Sequence, residues 1–199
     1  MQINTDLTGL ASVTLAIIWL LARLPRVQAF PRRQRVAVLG AAVVLASVPL
    51  WGLSLAGLVR GITGDLSIPT LILLAAALLR SLSAFTLIED ANRLRALKAI
   101  AIAAIVFYPF ALGFSMLDPY RLGYGNLWFM AVLLGTAIWS VLRYSTFLAL
   151  CIALAVVAWS AGWYESPNLW DYLLDPWLAI YAIAVQGKYW WAQRRKINA

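Results

Sequence analysis

Seven apolar stretches separated by short polar gaps occupy most of this 199-residue chain. They cover residues 7–24, 36–59, 66–79, 99–117, 127–142, 146–163 and about 176–191. A helix needs about 20 apolar residues to cross a hydrocarbon layer of about 30 Å, and the shorter third and fifth runs reach that length by extending into their flanks. The pattern predicts an all-α fold, a polytopic transmembrane helix bundle of seven spans forming a single integral membrane domain over 1–199. Seven spans consume roughly 140 positions, which leaves no room for a separate soluble domain.

Composition points the same way. The chain is 63% hydrophobic and 12% charged, with a mean hydropathy of +0.82. That is more apolar surface than a soluble core of this length can bury, so lipid must cover part of it.

Charge then sets the orientation. Arg23, Arg26, Arg32, Arg33 and Arg35 follow the first run; Arg80, Arg93, Arg95 and Lys98 follow the third; Arg143 follows the fifth; Lys188, Arg194, Arg195 and Lys196 mark the C-terminal tail. These are fourteen of the sixteen basic residues, and the alternate gaps hold only Arg60 and Arg121. Cytoplasmic loops retain Lys and Arg while translocated loops exclude them. The expected topology is N-terminus out and C-terminus in, in a multi-pass protein of the bacterial inner membrane. Asp6, Asp65, Asp118, Glu165, Asp171 and Asp175 then lie outside, and Glu89 and Asp90 inside. The first run lacks a basic n-region and a small-residue cleavage pattern, so it is expected to stay as an uncleaved anchor. The net charge of +8 follows from loop orientation. The expected partners are membrane lipids and possibly another membrane protein, and not nucleic acid.

Local patterns add detail. Leu82, Phe85, Ile88, Ala91, Leu94 and Leu97 recur at steps of three, with Glu89 four residues before Arg93, which predicts an interfacial amphipathic helix over 81–98. The aromatic and basic tail 188–196 anchors the last span at the inner headgroups. Pro49 and Pro109 lie inside apolar runs and are expected to kink their helices.

The chain has no histidine. Triad hydrolysis, imidazole-zinc sites and histidine-ligated haem are therefore excluded. The lone Cys151 forms no internal disulfide and reads as a small core residue. There is no P-loop, dinucleotide fingerprint or EF-hand, and neither a metal site nor a cofactor is expected.

Candidate chemistry collects on the outer side. Arg60, Asp65, Asp118, Tyr120, Arg121, Glu165, Asn168, Trp170, Asp171 and Asp175 form a cluster that either binds substrate or organises the loops 118–126 and 164–177. Guanidinium and aromatic groups suit a phosphate, sugar or lipid headgroup. The same loops also read as architecture, with Ser67 before Ile68 and Pro69, Ser166 before Pro167 and Asp175 before Pro176 as helix caps, and 118–125 as turn chemistry. One continuous helix from Pro167 would place Asn168, Asp171 and Asp175 on one stripe and drive Asp175 into the membrane, where Arg60 or Arg121 would have to neutralise it. A helix restarting at Pro176 would make Asp175 a cap. Arg121 is expected to pair with Asp118, Asp171 or Asp175.

Three functions compete. The leading expectation is a non-catalytic subunit or accessory of an envelope lipid or glycan system. The alternatives are a small transporter or flippase, and an intramembrane enzyme acting on a lipid-linked substrate at the outer leaflet.

Overall fold

The structure, a computed structural model, describes residues 3–50, 52–83, 85–114 and 116–197. Met1, Gln2, Trp51, Ala84, Ser115, Asn198 and Ala199, and the side chains of Ile3, Asn4, Thr5, Asp6, Leu50, Lys196 and Ile197, lie outside the described residues. The fold is all-α, with one two-residue strand pair among the described residues. The helices are α1 (Ile3–Ala22), α2 (Pro25–Gln28), α3 (Arg32–Ser47), α4 (Leu55–Thr63), α5 (Ile68–Leu82), α6 (Asp90–Ala111), α7 (Leu127–Leu142), α8 (Thr146–Ser160), α9 (Leu169–Leu173) and α10 (Pro176–Ile197). Among the described residues α6 alone is both long and apolar enough to cross a membrane, while Leu7–Ala22, α5, α7 and α8 are apolar but shorter.

The second apolar run is not one helix. Proline disfavours the α region for the residue before it, and Val48 leaves the helix at φ −71°, ψ 125°. Pro49 thus ends α3 rather than kinking it. Strands β1 (Pro49–Leu50) and β2 (Leu53–Ser54) pair antiparallel, with Gly52 at φ +90° in the tight turn. Ser54 then caps α4, its hydroxyl accepting from Gly57 N at 3.0 Å.

The expected 81–98 amphipathic helix is likewise corrected. Helix α5 stops at Leu82, α6 starts at Asp90, and the described residues between them are not helical. The step-of-three apolar residues are thus divided among the end of α5 (Leu82), the loop (Phe85 and Ile88) and the first turns of a longer helix (Ala91, Leu94 and Leu97). There Ala96, Leu97, Ile100, Ala101 and Ala104 are buried at helical spacing.

Contacts group into two compact units. In the first, Met1–Leu66, Thr70–Leu87 and Ser160–Glu165, α1 packs on α3 and α4. A small core of Ile18, Ala22, Val27 and Leu39 is covered by Leu21, Leu78 and Leu82. Arg35 stitches its edge by donating to the carbonyls of Ser81 at 2.9 Å and Gln28 at 2.7 Å. The second unit is Ser67–Pro69, Ile88–Trp159 and Ser166–Ala199. Here α10 runs along α6, and buried Ala179 and Ala182 on α10, like Ala101 and Ala104 on α6, allow helix axes to approach closely. Helix α8 buries Phe147, Cys151, Ile152, Ala155 and Ala158. The α7–α8 turn closes through Ser145 N donating to Ser140 O at 2.7 Å, with Tyr144 left-handed at φ 57° and Arg95 donating to its carbonyl at 2.6 Å.

Candidate functional site

Most of the candidate residues separate into two networks, one in each unit. The first is centred on Arg60, in the last turn of α4. Its guanidinium grips Asp65 through two contacts, Nε to Oδ1 at 2.7 Å and Nη2 to Oδ2 at 3.1 Å. Nη2 also reaches Glu165 Oε1 at 3.3 Å. Two-point Arg–carboxylate pairs are geometrically selective and stronger than single contacts. Arg60 and Asp65 are each 17% exposed, whereas Glu165 is 64% exposed, so the second carboxylate is the accessible one. Gly64, left-handed at φ +70°, ends α4 and turns the chain back so that Asp65 meets Arg60.

This ion pair lies against α1. A Cβ at Gly9 would fall 2.6 Å from Arg60 Cζ and closer still to its Nε and to Asp65 Oδ1. The same side chains line a cleft of about 700 Å³ with Leu10, Pro49, Leu53, Gly57 and Gly61. Glycines at positions 57, 61 and 64 keep its floor low, and the strand pair forms one rim. Also on α4, Leu55, Leu58 and Ile62 are at least half exposed and follow one another at helical spacing.

The second network is built on α9. Asn168 caps this helix, its Oδ1 accepting from Trp170 N at 2.9 Å, while its Nδ2 donates to the Tyr120 carbonyl at 2.9 Å. Asp171 accepts from Tyr120 Oη at 2.9 Å and from the Ser166 hydroxyl. Trp170 stacks between Phe107 and Phe129, at centroid distances of 4.2 and 4.6 Å, and donates its indole N–H to Pro119 O at 2.9 Å. Burial, reinforced by the bond to Asp171, holds the Tyr120 phenol above its usual value of 10.0, so it stays a neutral donor. The 3-10 turn Pro119–Gly123 presents Tyr120 and Gly123 to α9, since residues three apart eclipse in such a turn.

Asp175 resolves as a cap. Helix α9 ends at Leu173 and α10 begins at Pro176, so the continuous helix from Pro167 does not form. Asp175 is 3% exposed. Its Oδ1 accepts from Leu178 N at 2.8 Å, and its Oδ2 accepts from Ser67 N at 3.0 Å and Ser67 Oγ at 2.6 Å. One carboxylate thus serves the starts of α5 and α10, where positive dipole ends and donors offset its desolvation.

The expected Arg121 ion pair does not form. Among the described residues Arg121 touches no carboxylate, and its side chain is exposed. The cause is local: Asp118 spends Oδ1 on Tyr120 N at 3.0 Å, capping the 3-10 turn, and that turn aims position 121 away from α9. Arg121→Ala is accordingly expected to change stability by no more than about 0.5 kcal/mol, read as an unaltered melting temperature in detergent.

Glycines 9 and 123 escape a reading by charge and pattern. An isolated Gly inside an apolar helical run is itself a signal of close approach, and Gly9 fits it. Among the described residues no group of three or more Cys, Asp or Glu side chains could hold a metal ion. No known family model, curated protein or solved structure matches the chain.

Proposed function

We propose that this chain is a seven-span inner-membrane protein, N-terminus out and C-terminus in. In this proposal it is a non-catalytic accessory of an envelope lipid or glycan system, and the Arg60 cleft receives the polar end of its partner. The observation that carries the reading is how the outer carboxylates are employed. Asp65 sits in the fork of Arg60, Asp171 accepts from Tyr120 and Ser166, and Asp175 caps two helices. A general acid, base or metal ligand must exchange partners during turnover. These groups are instead employed in holding loops, as an interaction scaffold requires. Glu165 remains the accessible carboxylate beside Arg60, and together they offer hydroxyl- or ammonium-bearing ligands an acceptor beside a cationic fork.

The membrane reading draws support from extended apolar exposure. On α7, Leu127, Trp128, Val132, Leu134, Ile138, Leu142 and others are more than half exposed, as are Ile102, Ile105 and Val106 on α6. Surface of that extent in a monomer calls for lipid or a partner.

Two measurements test the proposal together. An alkaline phosphatase fused at the C-terminus should be inactive, and one inserted in loop 118–126 should be active; the reverse would refute the topology. A photo-crosslinking side chain at Leu53 or Gly61, on the cleft wall, should capture one discrete envelope protein or lipid-linked glycan in cells. Crosslinks to bulk phospholipid alone, with measurable substrate flux in proteoliposomes, would replace the accessory reading with a transporter.

A further inference from the structure

We infer that stacked tryptophan–arginine pairs at the C-terminal ends of three helices are seats for the phosphate of an anionic phospholipid. The pairs are Trp19 with Arg23 at the end of α1, Trp139 with Arg143 at the end of α7, and Trp190 with Arg194 and Trp191 with Arg195 in the last turns of α10. Four of the ten tryptophans thus have an arginine four residues later. In a helix each Cα–Cβ bond tilts toward the N-terminus, so the arginine leans back over the ring one turn before it. The guanidinium carbons lie 5.0, 5.9, 3.8 and 3.8 Å from the ring centroids.

The chemistry favours a net-anionic partner. The arginine side chains are exposed, and among the described residues none of the four touches a carboxylate. Stacking occupies the face of the guanidinium and leaves its edge N–H groups for the two-point contact that phosphate oxygens accept. Trp139, Trp190 and Trp191 are each more than half exposed, so apolar ring surface lies beside the charge, as acyl chain lies beside phosphate. A choline headgroup is disfavoured, because a guanidinium already covers one face of each ring and repels a second cation. Direction along the chain agrees. In the orientation proposed above, α1, α7 and α10 all run inward, so each ring lies at interface depth and its arginine one turn nearer the cytoplasmic phosphates. The outer-side Trp128, Trp163 and Trp177 have Val132, Pro167 and Tyr181 at the matching position, so the pairing belongs to one side only.

The inference rests on the proposed orientation only for which leaflet the pairs face, and lipid retention in detergent has no sidedness. The full chain, given equimolar phosphatidylglycerol and phosphatidylcholine in detergent and followed by native mass spectrometry, should retain phosphatidylglycerol about fivefold over phosphatidylcholine. Replacing Arg23, Arg143, Arg194 and Arg195 together by Gln should bring that ratio close to parity. The same four replaced by Lys keep charge and fold but lose the planar fork, and should lower the ratio about twofold. Arg26→Gln, Arg32→Gln, Arg33→Gln and Lys188→Gln in one chain remove as many charges without touching a pair, and should leave it unchanged. Displacement of the lipid by added inorganic phosphate would assign the pairs to the free anion and overturn the lipid assignment. A wild type without preference, a lysine variant indistinguishable from it, or a matched control that loses as much as the paired glutamine variant would overturn the inference. Reversed phosphatase fusions would instead refute the topology and leave this selectivity standing.

Discussion

Asp175→Ala is expected to lower stability by about 3–5 kcal/mol, because it strands three donors at once. Ser67 N, Ser67 Oγ and Leu178 N all donate to this carboxylate, two of them at a point where Ser67 is fully buried. Each buried donor left without an acceptor costs about 1–3 kcal/mol, and the terms are not additive. Asp175→Asn separates the contributions. Asparagine caps helices as well as aspartate, so the bond to Leu178 N persists, while the two Ser67 donors compete for what remains. The asparagine variant should therefore fall between the wild type and alanine. Thermal unfolding in a fixed detergent reports both, and an alanine variant within about 1 kcal/mol of wild type would mean that Ser67 finds another acceptor.

Gly123→Ala is expected to be comparably severe for a steric reason. A methyl group there would sit 2.7 Å from Asn168 Cγ, nearer still to its Oδ1, and 2.8 Å from Trp170 Cδ1. Neither neighbour can retreat, since Asn168 is fully buried with bonds to Trp170 N and Tyr120 O, and Trp170 is clasped between Phe107 and Phe129. Overpacking a fixed site costs about 1–3 kcal/mol, and breaking the Asn168 bonds adds to it. Gly125→Ala is the useful contrast: its φ of +81° makes it strained, yet its nearest neighbour, Trp159, is 3.9 Å away. Its penalty of about 1–2 kcal/mol should be that of backbone conformation alone. If both substitutions cost the same, the clash at 123 is relieved by movement of the whole turn.

The helical class was legible because the apolar runs are long and their ends carry proline and cap residues. Helix α7 coincides with the run 127–142, and Pro176 opens α10 where the Asp-Pro pair indicated a restart. What periodicity could not reveal was the break after Val48. A two-residue strand pair is too short to leave an alternation pattern, and its apolar residues merge with those of α3 and α4. The step of three over 81–98 misled for a related reason, since the first turns of α6 share that spacing with the loop before them. At the candidate site, residue types identified Arg60, Asp65 and Asp175 but not their partners. Pairing Asp175 with Ser67 depends on a contact 108 positions apart in the chain. Nothing local encodes that. Arg121 illustrates the converse, a charge whose direction is decided by the phase of a five-residue turn.

The separation between Ser67 and Asp175 also has a consequence in time. Chains are synthesised at about 5–20 residues per second, so Ser67 leaves the ribosome about 5–20 seconds before the carboxylate that will serve it. Throughout that interval the donors at the start of α5 must be satisfied by something other than Asp175. A chain truncated before residue 175 is therefore expected to lack the acceptor that Ser67 N and Ser67 Oγ share, at a cost of about 1–3 kcal/mol for a buried donor.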